Sequence, residues 1–184
     1  MVSEKKCSPG YSMLGFLAVS LFILMLMLTV VEYSDWVYGE TLVTDLIDSD
    51  ALRYLFIGGA AGGLLLAFSA IGRFEKGRPG RIGEGLFLVL VGIFIVWAAI
   101  FGMGDEIFDI SIKLATLSFF LAVICSIYDD FEDNRRMLFG SLSIIFLIST
   151  LAMILVCEPG IYQIWFLILG SAWLLLRGVR ALCA

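Results

Sequence analysis

Six stretches of this chain are long, apolar and almost free of charge: residues 11–31, 54–72, 85–103, 107–128, 137–156 and 162–176. A hydrocarbon core of ~30 Å takes about 20 helical residues to cross, so each run is long enough to span a bilayer, the last only just. Hydrophobic residues make up 61% of the 184 and charged ones only 16%, more apolar surface than a water-soluble domain of this size can bury. The chain therefore reads as all-α: a polytopic membrane helix bundle of six transmembrane helices, a single integral membrane domain over 1–184, with the lipid bilayer as its first partner. The short connections leave no room for a separate soluble catalytic domain. Lys5 and Lys6 precede the first run, but that run is too long for a signal-peptide core and has no small-residue cleavage site before Glu32, so it reads as a retained anchor.

Basic residues in short loops stay on the cytoplasmic side. With the N-terminus inside, Lys5, Lys6, Arg73, Lys76, Arg78, Arg81, Arg135, Arg136, Arg177 and Arg180 fall inside, ten of the twelve basic residues, and only Arg53 and Lys113 fall outside. Ten of the seventeen acids, among them Asp35, Glu40, Asp45, Asp48, Asp50 and Asp105, fall on the outer side. The expectation is a multi-pass protein of the inner or plasma membrane with both termini cytoplasmic. Its spans form three tandem hairpins, joined outside at 32–53, 104–106 and 157–161. A weak repeat follows that grouping: glycine opens the second and third hairpins (Gly83, Gly140), and Ile71-Gly-Arg73 closes the first as Arg177-Gly-Val-Arg180 closes the last. Duplication of a hairpin explains it, and so does chance recurrence of Gly and Leu in apolar helices.

Much chemistry is excluded by composition. The chain has no histidine, which removes a common metal ligand and every Ser-His or Cys-His nucleophile pair. Cys7, Cys125, Cys157 and Cys183 stand singly and read as small apolar fillers, with neither a metal site nor a disulfide framework indicated. A net charge of −5 argues against nucleic acid as a partner. No cofactor is expected.

Four constellations merit weighing. Gly58, Gly59, Gly62 and Gly63 form two overlapping GxxxG pairs, a surface for close helix packing either within the chain or in a homo-oligomer or larger membrane complex. Asp109 and Lys113, four residues apart, share a helix face and are a candidate intramembrane ion pair, against which stands a lysine that snorkels to the outer interface. Gly102-Met-Gly-Asp105 resembles the GxGD intramembrane aspartyl proteases, which need a second aspartate nearby. Asp129, beside Tyr128, lies 24 residues further along the same helix, roughly 36 Å away at ~1.5 Å per residue, so no catalytic dyad is expected. The Asp129-Asp-Phe-Glu-Asp133 run resembles half of a magnesium-diphosphate loop but lacks a second motif, and with Arg135 and Arg136 following it reads as a solvated, self-neutralising loop. Glu84 reads as an acid favoured by the positive end of its helix.

Tyr33, Trp36, Tyr38 and Tyr54 gather at the outer boundary as an interfacial belt, and the 32–53 loop, with Leu42, Val43, Leu46 and Ile47 among acids, suits a surface helix. The short-looped hairpins, Gly83 and Gly140, and the closing Leu169-Gly-Ser-Ala-Trp-Leu-Leu-Leu-Arg-Gly-Val-Arg180 resemble the HdeD-type acid-resistance proteins, small six-helix proteins of the inner membrane. That resemblance implies a non-enzymatic, stress-related membrane role and carries over no catalytic residue. An accessory subunit of a membrane complex and a small-solute or ion transporter are the alternatives.

Overall fold

The computed structural model describes residues 9–33, 37, 52–74, 78–101, 106–132 and 136–183. Six helices run in order: α1 (Pro9–Glu32), α2 (Leu52–Ile71), α3 (Pro79–Phe101), α4 (Glu106–Phe131), α5 (Met137–Val156) and α6 (Pro159–Cys183). All three prolines of the chain stand at a helix start, opening α1, α3 and α6. There the missing N–H has no intrahelical partner to lose and the fixed φ is already helical. Five helices are long and apolar enough to cross a membrane, while α2, of 20 residues, has a shorter apolar stretch at Phe56–Ile71. The fold is thus an all-α bundle of the polytopic transmembrane kind.

Three helices continue past the uncharged runs. α3 begins six residues before Gly85, α4 goes on through Asp129 and Asp130, and α6 goes on past Arg177 and Arg180. A charged residue ends an apolar run without ending a helix, because helical propensity does not depend on hydropathy. The added turns carry most of the ionisable side chains discussed below.

Each helix packs on its chain neighbours, and α6 returns to α1, closing a ring. Side chains from all six fill its centre, including Ala18, Leu66, Ala70, Leu88, Val91, Phe119, Ala122, Val123, Phe146 and Trp173. Glycine brings α1, α2 and α3 close. A Cβ on Gly58 would lie 2.7 Å from the Met25 Cβ of α1, and one on Gly62 would lie 3.5 Å from the Ala18 carbonyl oxygen. One on Gly59 would meet Ala99 of α3 at 3.2 Å, and one on Gly63 the Gly92 carbonyl oxygen at 2.7 Å. The two GxxxG pairs therefore look in two directions, Gly58 and Gly62 toward α1, Gly59 and Gly63 toward α3. In lipid, where apolar burial gives no drive between helices, such backbone approach is what holds them together.

The interface between α4 and the α5–α6 hairpin is built differently, from rings. Phe119 meets Phe146, Phe166 and Trp173 edge-on, with centroids 5.9, 5.7 and 5.3 Å apart. Trp173 stacks on Phe146 at 6.1 Å and donates from Nε1 to Ser143 Oγ at 3.1 Å. Such pairs contribute roughly 0.5–1.5 kcal/mol each beyond their burial.

These two kinds of interface respond differently to an added methyl group. A Cβ on Gly92 would run into the Gly63 carbonyl oxygen, whereas one on Gly170 would find nothing nearer than the Phe119 ring at 3.6 Å. Gly92→Ala should lower stability in detergent by roughly 1–3 kcal/mol, the usual cost of overpacking, and Gly170→Ala by much less. Equal melting temperatures for the two variants would contradict this packing.

Candidate functional site: a buried ion cluster at one end of the bundle

The starts of α3 and α5 and the ends of α2, α4 and α6 meet at one end of the ring. Glu84 on α3 and Asp129 and Asp130 on α4 bring three carboxylates there, and Arg81 on α3 with Arg177 and Arg180 on α6 bring three guanidinium groups, all six buried. Arg177 joins the two sets. Its Nε and NH2 donate to Glu84 Oε1 and Oε2 at 2.9 and 2.5 Å, a bidentate fork, and its NH1 donates to Asp130 Oδ2 at 2.6 Å. Arg180 NH2 donates to Asp129 Oδ2 at 2.6 Å and lies 2.5 Å from Asp130 Oδ1. Arg81 Nε donates to the same Asp129 oxygen at 3.1 Å. Arg73, just past the end of α2, approaches Glu84 at 3.4 Å from the rim, with a fifth of its side chain exposed.

Local sequence explains how the groups are brought so near. Glycines stand wherever a neighbouring helix must pass the acids. A Cβ on Gly80 would lie 2.9 Å from the Asp129 Cβ and 3.0 Å from its backbone nitrogen, and one on Gly140 would lie 2.8 Å from the Phe131 ring and 3.2 Å from the Asp130 Cβ. The adjacent positions 129 and 130 point their carboxylates at the two arginines of α6, which are three residues apart and so lie on one face. The Arg177 guanidinium carbon also lies 5.8 Å from the centre of the Trp173 ring, one turn back, which ties the ion cluster to the aromatic layer.

Burying each of these charges costs several kcal/mol, and only good geometry with opposite charge returns it. Three carboxylates against three buried guanidinium groups give that compensation, and the forks of Arg177 use donor directions a lysine does not have. Asp129 Oδ1 and Arg180 Nε, both out of solvent, have no hydrogen-bond partner among the described residues. The cluster can lock helices against one another and can hold charge within a membrane-spanning segment. Its carboxylates are already engaged by arginine, and among the described residues no group of His, Cys, Asp and Glu is placed to hold a metal ion.

Two expectations need correction here. Asp129 and Asp130 do not lie in a solvated loop: both are fully buried on α4, and their cations are Arg81, Arg177 and Arg180. The reason is that α4 keeps its helical course through Phe131, which turns the acid pair inward. Glu84 is likewise more than an acid near a positive helix end, being held by Arg177 and Arg73. The signals were present in sequence: Pro79 marks the start of α3, six residues before the apolar run, and Arg177 and Arg180 repeat at helical spacing.

The other singled-out residues lie elsewhere. Asp109 and Lys113 are both exposed on α4, and no ion pair joins them among the described residues. Gly58, Gly59, Gly62 and Gly63 all pack within the chain. Cys125 and Cys157 are free thiols, Cys125 against Gly83 at the α3–α4 contact and Cys157 donating to the Met153 sulfur at 3.4 Å. Gly102, Gly104 and Asp105 of the GxGD sequence, Trp36 and Tyr38 of the aromatic belt, most of the 32–53 loop, and Cys7 lie outside the described residues. At the opposite end from the cluster, Arg53 reaches Glu32 at 3.4 Å, an exposed pair.

No protein-family model, curated protein or solved structure matches this chain.

Buried and exposed arginines should behave differently when truncated. Arg177→Met leaves Glu84 and Asp130 without their main cation and should cost about 3–5 kcal/mol, while Arg53→Met should cost at most about 1 kcal/mol. Unfolding titrations in mixed micelles measure both, and equal losses would show that the cluster does not carry the end of the bundle. Lys113→Met should leave insertion and stability as they are, since the exposed side chain has no partner to lose among the described residues. A large defect rescued by adding Asp109→Asn would restore the ion-pair reading.

Proposed function

We propose that this chain is a non-catalytic membrane protein, one integral domain over 1–184, with an HdeD-like stress role at the inner or plasma membrane. The observation that carries the reading is the closure of the bundle. Phe119, Phe146, Phe166 and Trp173 fill the middle of the ring, and the ion cluster fills one end with charges that compensate one another. Such an interior supports a protein that persists as a fold in the membrane and acts through its surfaces. Three tandem hairpins and the closing Leu169–Arg180 sequence, which supplies Trp173 and both bridging arginines, add the likeness to the HdeD-type proteins.

In this reading both termini are cytoplasmic, so the ion cluster lies at the cytoplasmic end, where ten of the twelve basic residues fall. Thiol labelling of single-cysteine variants on intact cells tests the orientation. A cysteine in the 38–51 segment should react with an impermeant reagent and one in the 75–77 linker should not, and the reverse would invert the assignment.

A second reading, a small-solute or ion transporter, is favoured by the concentration of ionisable side chains within membrane-spanning helices, which often marks a transport path. Purification in mild detergent followed by reconstitution separates the possibilities. The HdeD-like reading expects a single kind of chain that leaves liposomes ion-tight. Foreign chains at fixed stoichiometry would instead make it a complex subunit, and ion or solute flux abolished by Asp130→Asn would make it a transporter.

A further inference from the structure

Burial along α6 is one-sided. Gly170, Trp173, Arg177, Gly178 and Arg180 are buried at helical spacing, but from Ile161 to Leu169 no residue is. α5 shows the same bias, with Gly140, Ser143, Phe146 and Thr150 buried and none of 151–157. The other four helices are seated at that same end, by Thr29 of α1, Gly58 and Gly59 of α2, Ala98 of α3, and Phe108, Ser111 and Ala115 of α4. The α5–α6 hairpin is thus fixed at its ion-cluster end and middle, while its turn end, around Cys157 and Glu158, is not set into the ring.

The attachments differ in kind as well as place. Both bridging arginines, Arg177 and Arg180, come from α6, and all three carboxylates come from the α3–α4 hairpin. Directional, multidentate bonds of this sort hold a helix end in one register. Toward the turn end the hairpin meets its neighbours mainly through half-buried apolar side chains, with Tyr162 and Gln163 among them, in a lipid environment that offers the apolar ones nearly the same contacts once they part. No glycine brings α4 and α6 to backbone distance: a Cβ on Gly170 would have only the Phe119 ring within reach.

The geometry points to a conformational device: the α5–α6 hairpin is an arm that pivots about the Arg177–Arg180 clamp, so that its turn end swings away from the α1–α4 body while the clamped end stays in place. The pivot lies just beyond the Phe166 ring, where the aromatic contacts with Phe119 and Phe120 of α4 stop. The arm opens the seams between α4 and α5 and between α6 and α1 toward the membrane. This inference stands whether the chain works alone, as a subunit or as a transporter.

Distance measurements between pairs of spin labels in lipid nanodiscs test it, with the four native cysteines replaced by alanine. Val31 and Val156 mark α1 and α5 at the turn end, Val31 and Ile100 mark the body at that end, and Leu138 and Ile82 mark the clamped end; all are exposed in the wild-type chain. The 31–156 distribution should be at least twice as wide as the 31–100 and 138–82 distributions. Arg177→Met should broaden the 138–82 distribution to match. Equal widths for all three pairs would overturn the arm, and a narrow 138–82 distribution in Arg177→Met would overturn the clamp.

Discussion

Arg177 has to satisfy two anions on two different helices, and the end of the bundle is arranged around that requirement. Its fork holds Glu84 of α3 while its remaining arm holds Asp130 of α4. A buried guanidinium is tolerable only where carboxylates meet it in the right directions, and buried carboxylates are tolerable only beside it. The neighbouring features follow from this mutual dependence. Gly80 and Gly140 clear space beside Asp129 and Asp130, Arg81 and Arg180 complete the charge balance, and Trp173 lies close beneath the Arg177 guanidinium. A charge of either sign placed there alone would be expelled toward water. Together the groups become a cross-link between the second and third hairpins.

The molecule therefore uses two adhesives, each suited to its surroundings. Where helices meet along their length in lipid, apolar burial distinguishes poorly between neighbour and solvent, and close backbone approach through Gly63 and Gly92 takes over. At the end, polar bonding becomes available and carries direction and register. The α5–α6 hairpin has the ion cluster and the ring stack but not the glycine seam, which is why its attachment is uneven along its length.

The six helices were legible from hydropathy alone, five of them long and apolar enough to cross a membrane, because lipid imposes a length and a polarity that the sequence must match. The cluster was not, because reading spans as uncharged runs stops at the first ionisable residue. Asp129 and Asp130 follow Tyr128 and precede a polar linker, so a linear reading puts them in water, and only the continuing helix turns them inward. Their partners lie 47 and 51 residues away along the chain, a pairing that no local pattern encodes. Proline offered a usable local signal, since its preference for the first helical turn sets the start of α3 at Pro79 and brings Arg81 and Glu84 into the helix. The glycine pairs of α2 announced close packing, but that adjacent glycines serve two different neighbours depends on the arrangement of α1 and α3.

Carboxyl footprinting of the folded wild-type protein in detergent micelles, with a carbodiimide and an amine nucleophile read out by mass spectrometry, tests the central claim most directly. Glu84, Asp129 and Asp130 are buried against arginine, whereas Asp109 and Glu132 are exposed. The account predicts rapid modification of Asp109 and Glu132 and protection of the other three until the protein is denatured. Modification of Asp129 and Asp130 as fast as that of Glu132 would contradict it, returning the acid pair to a solvated loop and removing the cross-link on which this end of the bundle depends.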